Sequence, residues 1–235
     1  MGQLPLPIAL ADHARFETFV VGGNAPAVHH VRALADGAPG IVWISGPAAS
    51  GKTHLLQAAC RSAAQADRRA MYVALLEEHA AEPAILSGLE GLDFLALDRV
   101  DLVARDAAWE RRLFVLFNEI AGRDGGGLLL AGRTPPTACG FELRDLASRA
   151  AGAVAYRLQP LSHGDRLDAL LAHARARGLE LERSAAEYLL DRVDRDMVGL
   201  GRWLERLDRA SLVEQRRVTI PFIRALLAAE AGSRD

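Results

Sequence analysis

The feature that most constrains this chain is one octet, Gly46-Pro47-Ala48-Ala49-Ser50-Gly51-Lys52-Thr53, which matches the pattern G-x-x-x-x-G-K-[ST]. In such a loop, glycines let successive backbone N–H groups turn toward a phosphate, and the lysine ammonium reaches between the β and γ oxygens. The threonine hydroxyl ligates Mg²⁺, and the helix that follows presents its positive dipole end to the anion. The octet therefore predicts that the chain binds ADP or ATP with Mg²⁺.

The chain otherwise uses arginine, since Lys52 is the only lysine among 28 cationic side chains. A planar guanidinium is too wide for the role of a compact ammonium in a phosphate loop. A buried strand at Ile41–Ile44 and a helix over Thr53–Gln65 supply the expected flanking structure. A chance glycine-rich loop is the alternative interpretation. The predicted nucleotide-binding residues of the loop are Gly46, Ala49, Ser50, Gly51, Lys52, Thr53 and His54.

Composition limits the remaining possibilities. Half of the 235 residues are hydrophobic and a quarter are charged, and no apolar run is long enough to span a bilayer. The start of the chain lacks a basic segment and carries Pro5 and Pro7, so we predict a cytoplasmic protein without an export signal. Two cysteines are too few for a disulfide framework. A net charge of −2 gives no general attraction to nucleic acid.

Strand-like and helix-like segments alternate up to about residue 160. Apolar strands separated by helices predict an α/β fold with a parallel five-stranded sheet flanked by helices. From Ser162 onward only helical patterns follow, with a last short element at Val218–Leu226, and we predict a domain boundary near Gln159–Leu161. The predicted strands are Ile41–Ile44, Ala70–Leu75, Phe94–Asp98, Leu128–Ala131 and Val154–Leu158, and a helix is predicted over Ala107–Ile120.

An acidic residue, Asp98, closes the third predicted strand at its carboxyl end, the edge at which open α/β sheets bind ligands. Asp98 is predicted to orient Mg²⁺ through water, and a buried structural carboxylate is the alternative. ATPases of this plan usually place a second acid next to it, where this chain has Arg99. Asp101 is expected to lie past the strand end and to be badly aimed, which puts self-catalysed hydrolysis in doubt.

These segments together resemble a known family. The phosphate loop, Leu97-Asp98, Asp145-Leu146-Ala147-Ser148-Arg149, Leu158-Gln159-Pro160-Leu161 and Arg195-Asp196-Met197 resemble the AAA+ module of the bacterial replication initiator DnaA, over nearly the whole chain. The start of the chain, Asp208-Arg209-Ala210-Ser211 and Thr219-Ile220-Pro221-Phe222 are closer still to Hda, a DnaA paralogue. The resemblance implies a tail over residues 1–12, an AAA+ P-loop domain over 13–160 and a small all-helical lid domain over 161–235.

The resemblance implies that the tail docks on the DNA polymerase sliding clamp, the β subunit of polymerase III. Two prolines hold this peptide extended, and apolar side chains fall on one face at period two. An ordinary disordered tail is the alternative. The predicted clamp-binding residues are Gln3, Leu4, Leu6, Pro7 and Ile8.

Three further site predictions follow from the resemblance. Phe16–Asn24 is similar to the segment that packs around adenine, through Phe19, Val20 and Val21, although Phe16 and Phe19 fit a core staple equally well. Arg149 matches the arginine finger that reaches the nucleotide of a neighbouring subunit, with a solvated surface arginine as the alternative. Arg195 matches the sensor 2 arginine of the lid, or else pairs with Asp191.

Departures from the DnaA pattern matter as much as the matches. Arg133 occupies a position at which DnaA proteins carry an aspartate, so two arginines replace acids near the expected γ-phosphate. The chain ends soon after the lid, so we expect no helix-turn-helix domain and no direct sequence-specific DNA binding. The main hypothesis is negative regulation of replication initiation, with Arg149 stimulating ATP hydrolysis by DnaA. An ATPase in its own right, such as a helicase loader, is the alternative, and a small-molecule kinase is a weaker one. Self-association stays open.

Overall fold

The computed structural model describes residues 14–75, 82–193, 197–214 and 216–231. The chain divides into two compact units between Pro160 and Leu161. The first unit holds a single sheet, and the second contains helices. Among the described residues, no helix has both the length and the apolar character needed to cross a membrane.

The sheet of the first unit has five parallel strands in the order β2-β3-β4-β1-β5. Its central strands are buried on both faces, which explains why the sequence shows continuous apolar runs there. Because the strands are parallel, their carboxyl ends and the loops that follow them lie along one edge. The strands are β1 Gly40–Ser45, β2 Ala70–Ala74, β3 Phe94–Asp98, β4 Gly127–Gly132 and β5 Val154–Arg157.

Helices cover both faces of this sheet. Alternate residues of β1 enter different cores: Val42 and Ile44 join one apolar cluster, and Trp43 joins the other. The first core lies under α1 and α2, and the second under α3 and α4. The chain thus forms a three-layer α/β unit. Its helices are α1 Ala25–Ala35, α2 Lys52–Gln65, α3 Ala107–Ala121 and α4 Arg144–Ala151.

The second unit is built around its own helical core, which includes Leu170, Leu189, Leu204 and Phe222. Ser162 opens its first helix with a capping box: its hydroxyl accepts a hydrogen bond from Asp165 N at 3.1 Å, and the Asp165 carboxylate accepts one from Ser162 N at 3.0 Å. The helices are α5 His163–Ala176, α6 Arg183–Leu190, α7 Met197–Glu214 and α8 Ile220–Ala231.

Candidate nucleotide-binding site

The predicted phosphate loop joins β1 to α2 at the carboxyl edge of the sheet. Two of its glycines have positive φ, 150° at Gly46 and 92° at Gly51. A Cβ on Gly46 would lie 3.0 Å from Leu158 O and from Ser50 Oγ, so no larger residue fits without displacing its neighbours. The loop therefore has the close backbone turns that a phosphate cradle requires.

The ammonium of Lys52 lies against the loop backbone. Its Nζ donates to Gly46 O at 2.8 Å and to Pro47 O at 2.7 Å. Burial lowers the pKa of Lys52, with the positive charges of Arg133 and Arg99 adding to this, while Asp98 and Asp101 oppose it. A bound phosphate would offer the ammonium anionic oxygens in place of neutral carbonyls, and it would raise the pKa again.

Asp98 ends β3 with its side chain only 2% exposed. Thr53 Oγ1 donates to Asp98 Oδ2 at 2.6 Å, and the hydroxyl of Tyr72 donates to the same oxygen at 3.1 Å. Arg99 N donates to Asp98 Oδ1 at 2.9 Å. Burial and the neighbouring Asp98 charge raise the pKa of Tyr72, so that phenol stays protonated as a donor. The pattern of the sequence did not single out Tyr72 for this site.

The pair Thr53 and Asp98 fits Mg²⁺ in donor chemistry, because a hydroxyl and a carboxylate are hard oxygen ligands. Within the described ranges, no group of three or more His, Cys, Asp or Glu side chains could hold a metal ion. A metal at this pair would thus take its remaining ligands from water and from nucleotide phosphates, as Mg²⁺ usually does.

Asp101 lies past the end of β3, as the sequence predicted. Its Oδ1 accepts a hydrogen bond from Arg133 N at 3.2 Å, at the end of β4, and its charge acts on Lys52. The position of Asp101 follows from the backbone of Arg99, which lies in the left-handed region with φ 60° and ψ 40°. A 3-10 turn, Val100–Leu102, comes directly after it. This turn returns Asp101 to the carboxyl edge of the sheet, and the sequence pattern gave no sign of a non-glycine residue in that conformation.

Arg99 and Arg133 follow the neighbouring strands β3 and β4, and both are exposed. Both guanidiniums lower the pKa of Lys52, so their charge acts on the space in front of the loop. The charges of both arginines therefore act on Lys52, and their replacement of acids beside the γ-phosphate stays a prediction. Asp101 remains as an acid beside them.

The segment predicted to contact adenine, Phe16–Asn24, packs against the phosphate loop. A Cβ added to Gly51 would lie 3.0 Å from the ring of Phe19. The ring of His54 stands edge-on to Phe19 with centroids 5.4 Å apart, and His54 Nε2 lies 2.9 Å from Arg15 O. Phe19 therefore contacts the loop directly.

Phe16 has a different environment. It lies in the first core, with the guanidinium carbon of Arg32 4.5 Å from its ring centre, which favours a structural role. Val20 and Val21 are half-buried, and Val21 packs against that core. Contact of Phe19, Val20 and Val21 with a purine stays a prediction.

Arg149 lies in the last turn of α4. Leu146 and Ala150 on the same helix are buried, whereas Arg149 is exposed. Among the described residues its guanidinium has no hydrogen-bond or ion-pair partner, and the same holds for Arg144, which is also exposed. Arg149 is therefore available to a second molecule, and its role as a finger stays a prediction.

Two groups of predicted residues lie outside the described ranges. These are Arg195, the proposed sensor 2 residue, and the clamp-binding residues Gln3, Leu4, Leu6, Pro7 and Ile8. Their predicted roles are unchanged by the structure.

Two models of known protein families match this chain. Residues 10–155 match the model of the bacterial DnaA ATPase domain. The chain belongs to the DnaA ATPase family. Residues 163–227 match the Hda lid domain, so this family member is Hda-like, as the sequence predicted.

Solved structures agree with the AAA+ fold. Domain III of the replication initiation protein DnaA from Thermotoga maritima is 24% identical, with a TM-score of 0.78 over 94% of this chain and 98% of that one. AMPPCP-bound DnaA from Aquifex aeolicus is 24% identical, with a TM-score of 0.66 over 84% and 66%. The RuvB Holliday junction branch migration motor of Thermotoga maritima, at 15% identity, has a TM-score of 0.61 over 87% and 67%. At these identities the likeness shows the fold alone.

Proposed function

We propose that this protein is a cytoplasmic negative regulator of replication initiation that binds ADP or ATP and stimulates ATP hydrolysis by DnaA. The observation that carries the proposal is the contrast between two arginine sites. At the chain's own loop, Arg99 and Arg133 are expected to replace acids, whereas Arg149 is exposed on α4 with no partner among the described residues. A protein with this arrangement is suited to hold its own nucleotide and to act on another protein's.

Nucleotide binding is supported by the loop and by a relative. The loop has glycines at the two close turns, a lysine within it and an acid–hydroxyl pair beside it. The DnaA structure from Aquifex aeolicus contains AMPPCP, a triphosphate analogue. In this chain Lys52 and the loop N–H groups would bind the phosphates, while Thr53 and Asp98 would hold Mg²⁺. The metal would supply charge neutralisation for the phosphates.

The arginine finger would act by charge. Phosphoryl transfer spreads negative charge over the transferred group, and a guanidinium brought to it from a neighbouring subunit stabilises that charge. Arg149 can do this only in a DnaA–nucleotide site formed between the two proteins. Its exposure and lack of partners within the described residues support such an intermolecular role.

The clamp would raise the rate at which the two proteins meet. We expect Gln3, Leu4, Leu6, Pro7 and Ile8 to dock on the β clamp, so that this protein is held near DNA on which DnaA is bound. Tethering of this kind raises effective concentration without new contacts to DnaA.

The proposal is tested by the ATP turnover of DnaA with DNA-loaded clamp, with and without this protein. Addition of the protein should raise turnover, and omission of the clamp or the change Gln3→Ala should remove most of the effect at low protein concentration. No stimulation at any concentration of clamp and protein would overturn the proposal.

One observation favours a second function, an ATPase in its own right such as a helicase loader. The Asp101 carboxylate lies at the sheet edge near Lys52 and could serve as the second acid. Under this alternative, the isolated chain hydrolyses ATP at a steady rate that Lys52→Ala and Asp101→Asn both abolish. Under the main proposal, turnover by the isolated chain is slow and Asp101→Asn leaves DnaA stimulation intact.

A further inference from the structure

Glu110 is a buried carboxylate that the nucleotide site does not use. It lies in the first turn of α3 and is only 1% exposed. Its Oε1 accepts a hydrogen bond from Arg105 N at 2.8 Å, and its Oε2 accepts one from Leu143 N at 2.6 Å. Glu142 N donates to both oxygens, at 3.1 and 3.0 Å. A buried charge is costly unless hydrogen bonds satisfy it, so these contacts depend on one another.

The donors belong to two segments that are distant in sequence. Arg105 ends the loop that begins at Arg99 and returns Asp101 to the sheet edge. Glu142 and Leu143 are the last residues before α4, the helix that carries Arg149. Glu110 therefore joins the loop beside the nucleotide site to the start of the helix with the proposed finger.

The first turn of α4 relies on Glu110 as a hydrogen-bond acceptor from another helix. Leu143 is its N-cap residue and has no polar side chain with which to accept a hydrogen bond from the helix. Glu110 accepts from the N–H of that residue, and its negative charge lies at the positive end of the helix dipole. A residue on α3 thus accepts from the N-cap amide of α4, the role that the N3 carboxylate has in a capping box.

A second contact joins the same two segments. Gly140 has φ 84°, and a Cβ built on it would lie 3.3 Å from Arg105 Nε. The guanidinium of Arg105 therefore packs against the backbone of the segment that leads to α4. The junction between the loop and α4 is fixed by side-chain packing as well as by Glu110.

We propose that Glu110 is a positioning residue that sets the orientation of α4, and thereby of Arg149, relative to the chain's own nucleotide site. The inference rests on the proposed function of Arg149. α4 has only eight residues, so a change in how its first turn is held moves the guanidinium in its last turn. Misplacement of a catalytic group by about 1 Å can cost on the order of 100-fold in rate.

The test uses Glu110→Gln, which keeps the size of the side chain. Its amide NH₂ faces an N–H donor, so either the loop or α4 loses its acceptor. Stimulation of DnaA turnover should fall about 10- to 100-fold, while the chain's own affinity for ADP stays within about twofold. Glu119→Gln, an exposed change on the same helix, is the matched control and should alter neither. Equal losses of affinity and stimulation would overturn the inference.

A double variant separates positioning from general damage. If Glu110 acts through Arg149, Glu110→Gln should have no further effect on stimulation in an Arg149→Ala background. Additive losses would contradict this.

Hydrogen exchange keeps the inference testable even if the wild-type chain fails to stimulate DnaA, the result that would count against the proposed function. In the isolated chain, Glu110→Ala, which removes both acceptor oxygens, should speed exchange of the Leu143 and Ala147 amides by at least about tenfold, with β1 and β4 unchanged. Unchanged exchange at α4 would overturn the inference.

Discussion

At the scale of single residues, the site combines a buried acid with exposed cations. Asp98 is held by Thr53 and Tyr72 through one oxygen and by a backbone N–H through the other. Arg99 and Arg133 place two positive charges near Lys52. The charges that recognise phosphate are therefore retained and increased, while one acid, Asp101, remains at the edge.

This charge balance predicts a preference between nucleotides. The third phosphate of ATP would lie nearest the two arginines, where one exposed charge pair contributes up to about 1 kcal/mol. Arg99→Ala and Arg133→Ala should each weaken ATP binding by up to about fivefold and ADP binding less than about twofold. Calorimetric titration measures both, with Arg144→Ala as the control. Equal weakening of ATP and ADP would contradict the prediction.

The two cysteines should react slowly in the folded protein. Burial raises the pKa of Cys60 and of Cys139 to about 12. The thiolate is the reactive form, so at pH 8 only about one thiol in 10⁴ is available. Alkylation should be at least about 100-fold slower than in denaturant and should rise with pH. Fast labelling of the native protein at pH 8 would show that these thiols are not buried as described.

At the scale of elements, the second unit depends on how α5 begins. The capping box of Ser162 and Asp165 satisfies the first N–H groups of that helix. Ser162→Ala should lower the free energy of unfolding by about 1 kcal/mol. The exposed Ser184, inside α6, supplies the control Ser184→Ala, which should change it little. Urea unfolding measures both, and equal losses would contradict the capping role.

The capping box of Ser162 and Asp165 also makes the free energy of unfolding depend on pH. Hydrogen bonds from the Ser162 hydroxyl and backbone lower the pKa of Asp165 from 3.8. The folded pKa is below the unfolded one, so the stabilisation is present above pH 3.8 and is lost as pH falls through the lower folded value. The difference between wild type and Ser162→Ala should therefore shrink in acid. A constant difference down to pH 2 would contradict this account.

Local pattern predicted the five strands and helices α2 and α3 to within one residue at each end. Phe94–Asp98 has the predicted bounds, β2 and β5 end one residue earlier than predicted, and β1 and β4 extend one residue further at each end. The central strands were readable because buried parallel strands are continuous apolar runs. The final predicted element is a helix that starts at Ile220, since Val218 instead forms a bridge with Leu181. Helix α1 was not predicted.

Long-range contacts of the site could not be predicted in this way. The hydrogen bond from Arg133 N to Asp101 follows a left-handed Arg99, and Leu143 N donates to Glu110 across 33 residues. Neither contact leaves a periodic signal in the sequence. The octet, by contrast, predicted the loop because its glycines are required by local backbone geometry.

At the scale of the whole molecule, the first unit places two arginine sites at different positions. One site faces its own phosphate loop, and the other is the exposed Arg149 on α4. The chain belongs to the DnaA ATPase family, and its second unit matches the Hda lid domain. We therefore propose that the loop retains nucleotide and that α4 assists hydrolysis by a second protein.

The most direct test compares Arg149→Ala with Arg144→Ala in the DnaA turnover assay with DNA-loaded clamp. Both arginines are exposed on the same helix, so the two variants remove the same charge from the same element. The account predicts that Arg149→Ala lowers the stimulated rate by on the order of 10³-fold or to the unstimulated level, while Arg144→Ala retains most of it. Equal rates for the two variants would contradict it.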